Sequence, residues 1–377
     1  MNILITGAQG FIGRNLDTRL QVREGCNVIP FDLDSSAADL RAALERADIV
    51  YHLAGINRPE KVEEYEAANV GFTREICAAL RELRQVPIIV MSSSVQAELQ
   101  NPYGISKRRA EDALREFAGQ TGAQVRIHRL KNVFGKWCRP NYNSVVATFC
   151  YNIANDLPIQ ISDPNRELEL VYVDDVVDAF LGELPPPYSA NGPRDIPSFS
   201  LSLGDLAGRI QSFQEMRTSL LTPDFSVRFN QQLYATYLSY LPVEARRQQL
   251  ELKSDQRGGL AEFMKSRSFG QIFVSRTEPG VTRGNHYHHT KAEKSFVVEG
   301  DGIIRMRHIE SPDVVEYRVR GEDFQVIDIP PGYTHSIENV GAGEMVTLFW
   351  ASEIFNPDQP DTYFLPVLTP TESPAAV

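Results

Sequence analysis

A glycine-rich turn at the start of the chain constrains the fold more than any other feature. The apolar run Asn2–Thr6 leads into TGAQGFIG (6–13), and a helical pattern begins near Arg14. Glycines in such a turn let the backbone bend sharply, approach a pyrophosphate and bring the helix close to the strand. The free N–H groups at the start of the helix then face the phosphates. The turn predicts a dinucleotide held at Gly7, Gly10 and Gly13.

Apolar strand-like runs alternate with helical patterns through the first half of the chain. The runs are Asn2–Thr6, Val28–Phe31, Ile49–Leu53, Ile88–Ser92 and Arg126–Leu130. Amphipathic stretches such as Asp39–Ala47 and Tyr103–Ala118 lie between them. This alternation predicts an α/β domain with a Rossmann-type doubly wound parallel sheet that carries helices on both faces.

The pattern changes after about Leu250, where short strand-like runs are separated by turns. Examples are Gln271–Arg276, Lys294–Val298, Gly302–His308, Val314–Val319, Phe324–Ile329 and Met345–Trp350. Such spacing predicts a small all-β barrel. The 377 residues suffice for two domains, and we place them at 1–245 and 246–377.

Composition narrows the classes of partner and compartment. A formal net charge of -11 argues against nucleic acid, whose phosphates an acidic surface repels. The cysteines Cys26, Cys77, Cys138 and Cys150 are scattered without CxxC spacing, which is typical of reduced thiols. We see neither a signal peptide nor an apolar run of membrane-spanning length, and so expect a cytoplasmic protein without membrane insertion.

Tyr103 and Lys107 form a candidate proton-transfer pair. A helix that begins just before Tyr103 puts the two side chains one turn apart on the same face. The ammonium of Lys107 and the helix dipole both favour a phenolate, so we expect a lowered pKa for Tyr103. A serine at the preceding strand end would hold the carbonyl oxygen that receives the proton. Ser94 is favoured over Ser92 and Ser93.

Asp32 follows the second strand-like run, about twenty residues beyond the glycines. A carboxylate there accepts hydrogen bonds from an adenosine ribose and repels a 2′-phosphate. Asp32 therefore favours NADH over NADPH.

The histidines beyond residue 280 follow a metal-ligand spacing. His286 and His288 fall on one face of a strand, because side chains alternate along it. A turn brings Glu293 back towards them, and a Pro-x-Gly turn can bring His335 inside the barrel. Three imidazoles and one carboxylate suit Zn²⁺ or another borderline divalent metal.

The first 180 or so residues resemble the extended short-chain dehydrogenase/reductase family. The matching stretches are TGAQGFIG, ADIVYHLAG (47–55), NPYGISK (101–107), RLKNVFG (129–135) and LVYVDDVV (170–177). The resemblance implies a Ser–Tyr–Lys triad of Ser94, Tyr103 and Lys107, with Tyr103 and Lys107 also contacting the cofactor. One departure is the short segment between serine and tyrosine, where eight residues separate Ser94 from Tyr103.

The same resemblance assigns further contacts residue by residue. It implies substrate contacts for Asn69 near the active site, Asn132 at the diphosphate and Arg166 at the nucleotide end. The cofactor contacts that it implies, beyond the three glycines and Asp32, are Phe11, Ile12, Leu53, Ala54 and Gly55.

The second half resembles the cupin superfamily in both of its motifs, with Phe324 where the second motif usually has glycine. Asp255-x-Arg257-Gly258 and RGNHY (283–287) are also similar to the dTDP-4-dehydrorhamnose 3,5-epimerases, metal-free relatives of cupins. In those enzymes the histidine that matches His286 is a general base, so His286 could be ligand or base. An enolate formed beside a ketone could be stabilised by a metal or by Lys294 as a cation.

Taken whole, the chain resembles the capsular polysaccharide enzymes of CapF type. The specific stretches are KWCRPNYNSVVATFCY (136–151), YATYLSYLP (234–242), GNHYHHT (284–290) and FNPDQPDTYFL (355–365). The family implies a cupin domain that epimerises C3 of a UDP-2-acetamido-2,6-dideoxy-4-hexulose. It also implies a reductase domain that reduces the C4 ketone with NADPH, giving UDP-2-acetamido-2,6-dideoxy-L-talose towards UDP-N-acetyl-L-fucosamine.

Two questions stay open on the residues alone. The family resemblance implies NADPH as the cofactor, whereas Asp32 favours NADH. The alternative to a bifunctional enzyme is a single-activity 4-ketosugar reductase whose cupin domain only binds ligand or holds a dimer together. We also expect a homodimer.

Overall fold

The computed structural model describes residues 1–185 and 195–368. The chain divides into two compact units, of which the first comprises Met1–Gln211 and Gln231–Pro242. The second comprises Ser212–Asn230 and the chain from Val243 onward. The domain boundary between residues 245 and 246 remains a prediction.

The first unit is built on a five-stranded parallel sheet in the order β2-β1-β3-β4-β5. Its strands are β1 (Asn2–Thr6), β2 (Asn27–Phe31), β3 (Ile49–His52), β4 (Ile88–Ser94) and β5 (Val125–Leu130). The helices along this part are α1 (Phe11–Gln21), α2 (Ala37–Arg46), α3 (Phe72–Arg81) and α4 (Pro102–Thr121).

Alternate residues of β1 enter two separate cores. Ile3 and Ile5 pack with α1 and α6 (Val173–Gly182) on one face, whereas Leu4 packs with α2, α3 and α4 on the other. A sheet buried on both faces requires such continuous apolar strands. The predicted doubly wound Rossmann-type fold is therefore confirmed.

A three-stranded sheet and four helices complete the first half and lead out of it. The strands, in the order β6-β7-β8, are β6 (Asn132–Phe134), β7 (Glu167–Tyr172) and β8 (Ser198–Ser202). The helices are α5 (Val145–Ala154), α6, α7 (Leu203–Ser219) and α8 (Arg228–Leu238).

The second unit contains two antiparallel sheets. One has the order β16-β13-β18-β11-β10-β9 and the other the order β15-β14-β17-β12-β19. The strands are β9 (Leu252–Asp255), β10 (Gly258–Ser266), β11 (Gly270–Thr277), β12 (Thr282–Tyr287), β13 (Glu293–Glu299), β14 (Asp301–His308), β15 (Val314–Arg320), β16 (Val326–Ile329), β17 (Tyr333–Asn339), β18 (Met345–Ala351) and β19 (Tyr363–Phe364). Val297, Ile337 and Met345 lie in the apolar core that both sheets share. The predicted all-β cupin barrel is confirmed.

Within residues 1–185 and 195–368, no helix is both long and apolar enough to cross a bilayer.

Candidate functional site

The glycine-rich turn leaves no space for side chains. A Cβ added at Gly7 would lie 2.8 Å from the backbone of Ala54, and one at Gly13 only 2.1 Å from the oxygen of Gly7. Gly7 has a φ of +71°, which favours glycine. The start of α1 has neither a side-chain cap nor an acidic residue, so its N–H groups are available to an anion. The turn fits a dinucleotide.

Asp32 lies directly beside this turn. Its carboxylate accepts hydrogen bonds from the backbone N–H of Gln9 at 2.7 Å and of Leu33 at 3.0 Å. The side chain is half-buried at the end of β2. A ribose contact for Asp32 remains a prediction.

We expect Asp32→Ala to shift cofactor preference towards NADPH. Removing a charge that repels the 2′-phosphate should raise the NADPH/NADH ratio of kcat/KM by roughly tenfold. The ratio is measured because loss of the hydrogen bond to Gln9 weakens binding of both cofactors. Asp34→Ala, which removes an exposed acid two residues away, is the matched control. An unchanged ratio in Asp32→Ala would make Asp32 a purely structural acid.

Tyr103 lies in the first turn of α4. Asn101 caps the helix by accepting the N–H of Gly104 at 2.7 Å. Burial raises the pKa of the Tyr103 phenol, although a hydrogen bond with Ser94 opposes this effect. The expected lowering of its pKa is therefore wrong for this structure. A raised pKa keeps the proton on the phenol at neutral pH, as a proton donor requires.

The position of Lys107 explains why its ammonium does not lower the pKa of the Tyr103 phenol as expected. Its Nζ donates to the main-chain oxygen of Ser92 at 2.8 Å. Burial lowers the pKa of Lys107 to about 8, against the opposing effect of Glu111. The ammonium is thus held by the end of β4 instead of by the Tyr103 hydroxyl.

The three serines at the end of β4 have different partners. The hydroxyl of Ser93 donates to the buried Glu111 at 2.5 Å, and Glu111 is also bound by Arg129. The Ser94 hydroxyl accepts the N–H of Gln96 at 3.2 Å. Of the three serines, only Ser94 influences the pKa of the Tyr103 phenol, and its role as partner of the phenol remains a prediction.

The short link from Ser94 to Tyr103 forms a tight 3-10 turn at Val95–Glu98. The helix begins so close to this turn that a Cβ at Gly104 would lie 2.1 Å from the oxygen of Gln96. The close packing of turn and helix fixes the position of Tyr103 relative to Ser94.

Asn69 does not present its side chain to a substrate. It is 3% exposed and lies in a π-helical turn, Glu66–Gly71. Its amide donates to the oxygen of Ile56 and to Ser106, and accepts the N–H of Ile56. The substrate contact proposed for Asn69 is therefore corrected: its donors are used to position the loop after β3 against α4.

Sequence reasoning missed His52, which lies under the cofactor turn. Its Nδ1 is 2.9 Å from Thr6 Oγ1, and its Nε2 is 2.9 Å from Thr73 Oγ1. Thr73 donates its own proton to the oxygen of Asn69, so it must accept from Nε2. Burial lowers the pKa of His52 to about 3 and keeps the ring neutral. In the sequence, only the position of His52 within the run ADIVYHLAG could have indicated that it supports the cofactor-binding turn.

A cavity of about 550 Å³ opens beside Tyr103. Its lining residues are Asn57, Arg58, Pro59, Glu60, Val62, Tyr65, Gln96, Asn101, Pro102, Tyr103 and Asn143. The ring of Tyr65 lies 5.8 Å from that of Tyr103. A mixed polar and apolar wall of this kind suits a sugar.

The two remaining candidate substrate-binding residues do not line this cavity. Asn132 is exposed on β6 and donates to the oxygen of Glu169 at 3.2 Å. Arg166 is exposed immediately before β7. Their predicted contacts with diphosphate and nucleotide remain predictions.

In the second unit the structure brings His286, His288, Glu293 and His335 together. One candidate ligand atom from each lies within 4.8 Å of all the others. His286 and His335 are direct partners in the β12–β17 ladder, and Glu293 begins β13 in the facing sheet. The four side chains thus join the two sheets inside the barrel.

Hydrogen bonds orient the rings for a cation. The Nδ1 atoms of His288 and His335 face the main-chain oxygens of Asp361 and Tyr333. A carbonyl only accepts, so both Nδ1 atoms carry the proton. Each Nε2 then faces Glu293, at 3.4 Å for His288 and 3.2 Å for His335.

This arrangement leaves a buried carboxylate opposite two imidazole nitrogens, and the Nε2 of His288 has no hydrogen-bond partner among the described residues. Burial would raise the pKa of Glu293, but the adjacent imidazoles of His288 and His335 outweigh it and lower that pKa well below its usual range. Burial, reinforced by His335, lowers the pKa of His286 to about 4 and leaves the ring neutral. Three imidazoles and a buried carboxylate that converge on one point fit a divalent metal.

Lys294 does not join this cluster. It follows Glu293 on β13, so its side chain points to the opposite face of the strand. It is exposed there and forms an ion pair with Asp328. The role of Lys294 as an enolate-stabilising cation is therefore corrected by its position.

Comparison with known proteins accounts for both units. Residues 3–195 match the NAD dependent epimerase/dehydratase family, and residues 253–363 match the polysaccharide biosynthesis C-terminal domain. The crystal structure of the capsular polysaccharide assembling protein CapF from Staphylococcus aureus superposes with a TM-score of 0.90 at 44% identity, over 97% of this chain and 100% of that one. The chain is a CapF-type member of the NAD dependent epimerase/dehydratase family. The predicted resemblance is confirmed.

Other relatives of this CapF-type chain agree. The UDP-2-acetamido-2,6-beta-L-arabino-hexul-4-ose reductase of Pseudomonas aeruginosa is 42% identical over 364 residues, 96% of this chain and 98% of the relative. The UDP-glucuronic acid 4-epimerase of Bacillus cereus, at 18% identity and a TM-score of 0.54 over 64% of this chain, shares the fold alone. Family membership makes the chain an enzyme that uses a nicotinamide cofactor.

Proposed function

We propose that this chain reduces the C4 ketone of a UDP-2-acetamido-2,6-dideoxy-4-hexulose after epimerising its C3, giving UDP-2-acetamido-2,6-dideoxy-L-talose. The observation that carries the reductase half is the position of Tyr103 in the wall of a sugar-sized cavity, at the start of the helix that also carries the buried Lys107. The relative from Pseudomonas aeruginosa is named for reducing such a UDP-linked hexul-4-ose. The product of this chain would be used to make a surface polysaccharide, because the CapF relative is named as a capsular polysaccharide assembling protein.

The residues of the first unit suit a carbonyl reduction. Tyr103 would give its proton to the oxygen at C4, because its raised pKa keeps it protonated at neutral pH. The Ser94 hydroxyl would hold the same oxygen, and Lys107 adds a positive charge nearby. Bound NADH or NADPH supplies the hydride, and the glycine turn would hold its pyrophosphate.

The cluster of the second unit supports the epimerase half. Removal of the C3 proton next to a ketone requires a base and a group that stabilises the enolate oxygen. His286 is neutral and could serve as base or ligand, while His288, Glu293 and His335 would hold the metal. A divalent metal, zinc by the ligand set, supplies Lewis-acid chemistry when bound.

One observation favours the alternative of a single-activity reductase with a non-catalytic cupin domain. Lys294, the cation expected to assist the epimerisation, points away from the cluster. The relative from Pseudomonas aeruginosa is likewise named only as a reductase.

Solvent deuterium exchange separates the two proposals. The full chain is incubated with the 4-keto sugar in D₂O without NADH or NADPH, and deuterium at C3 is followed by NMR. We expect exchange in the wild type and its loss in His286→Ala. Exchange no faster than without enzyme, in a wild type that still oxidises NADPH with the sugar, would leave only the reductase.

A further inference from the structure

We propose that Asp361 is a positioning residue that locks His288 in the orientation needed to bind the metal. Asp361 lies 73 residues beyond His288 in the chain and is not a member of the ligand cluster. The inference rests on the metal site proposed above and adds the part of the chain that builds it.

The carboxylate of Asp361 accepts several hydrogen bonds from the loop that follows β12. It accepts the backbone N–H groups of His289 at 2.9 Å, Thr290 at 3.0 Å and Lys291 at 3.1 Å. The hydroxyl of Thr290 donates to it as well, at 3.0 Å. Four donors converge on one carboxylate, so the loop leading away from His288 has little freedom.

The main chain of the same residue holds the His288 ring. The oxygen of Asp361 accepts from Nδ1, which leaves the lone pair of Nε2 turned towards Glu293. Hydrogen bonds of this type to the second nitrogen fix the tautomer and orientation of metal-binding histidines. His288 is 3% exposed, so no solvent bond can replace this contact.

Neighbouring contacts keep Asp361 in place. Tyr363 pairs with Tyr287 in the β19–β12 ladder, and their rings stack at 5.3 Å. Lys291 donates to the oxygen of Pro360 at 3.2 Å. Asp361 itself has a φ of +39°, a conformation that a residue other than glycine adopts only where its surroundings compensate for the strain. These contacts thus stabilise the strained backbone conformation of Asp361.

The test compares zinc retention in full-length variants. Wild type, Asp361→Ala, Asp361→Gly and Asp361→Asn are loaded with Zn²⁺, and transfer to a chromogenic chelator is followed. We expect Asp361→Ala to bind zinc about 10-fold to 100-fold more weakly, the loss typical of removing such a supporting contact. Asp361→Gly relieves the strained backbone and keeps the main-chain oxygen, so a similar loss there assigns the effect to the carboxylate. Asp358→Ala, an exposed acid in the same segment, should match wild type.

Each outcome decides a different claim. A wild type that takes up no zinc overturns the metal site and this inference together. Zinc held by wild type and released at the same rate by all Asp361 variants overturns the inference alone. A lower melting temperature of the zinc-free variants with unchanged zinc affinity does so too, because it marks a merely structural role. Should Asp361→Ala fail to fold, the milder Asp361→Asn decides, with a smaller loss of affinity expected.

Discussion

Replacing Tyr103 with phenylalanine is expected to lower C4 reduction by roughly 10²-fold or more, as removal of a general acid does. The substitution keeps the ring, whose centroid lies 5.8 Å from that of Tyr65, and removes only the hydroxyl. NADPH oxidation with the 4-keto sugar measures the loss. Deuterium exchange at C3 should persist, because that reaction is proposed for the other unit.

Tyr65→Phe is the matched control for this prediction. The Tyr65 hydroxyl donates to the oxygen of Asn57 at 3.0 Å, so its loss disturbs the cavity wall without removing the proposed proton. We expect a change of only a few-fold there. If Tyr103→Phe oxidises NADPH as fast as Tyr65→Phe, the phenol has no part in the reduction.

The second large effect concerns the metal. Elemental analysis of the wild type should find about one divalent ion per chain, and His288→Ala/His335→Ala should hold almost none. Both histidines turn Nε2 towards Glu293, so only His286 and Glu293 remain in the double variant. Two donors cannot complete a tetrahedral site.

Two histidines outside the cluster provide the control for that experiment. His289→Ala/His308→Ala removes the same number of imidazoles and should keep its metal. A wild type that is free of metal yet exchanges C3 at full rate would contradict the prediction. It would point to His286 as the base of a metal-free pocket instead.

Local patterns were sufficient for much of the fold and the cluster. Every strand predicted in the first half is present, because buried parallel strands are continuous apolar runs between turns. His286 and His288 could be paired from the alternation of a strand alone. Phe324 has a φ of +51°, which explains physically why glycine is usual at that position.

Contacts made by distant or main-chain groups could not be predicted. Lys107 bonds to a backbone oxygen at the end of β4, which no side-chain pattern reveals. The raised pKa of Tyr103 depends on burial, a property of the packed unit. Asp361 contacts His288 only because β19 pairs with β12 at the edge of the sheet. Lys294 was misjudged because its neighbour Glu293 faces the interior, which puts Lys294 outside.

The tight turn between Ser94 and Tyr103 has a consequence for how this family can vary. A Cβ at Gly104 would collide with the backbone oxygen of Gln96 and lie 3.0 Å from that of Leu99, so an insertion or deletion between those residues would displace the tyrosine. Surface loops usually tolerate changes of length, but this one is packed against the helix it precedes. Extra residues could be accommodated as an outward bulge near the exposed Gln100. An insertion there should therefore displace Tyr103 less than one between Gln96 and Leu99.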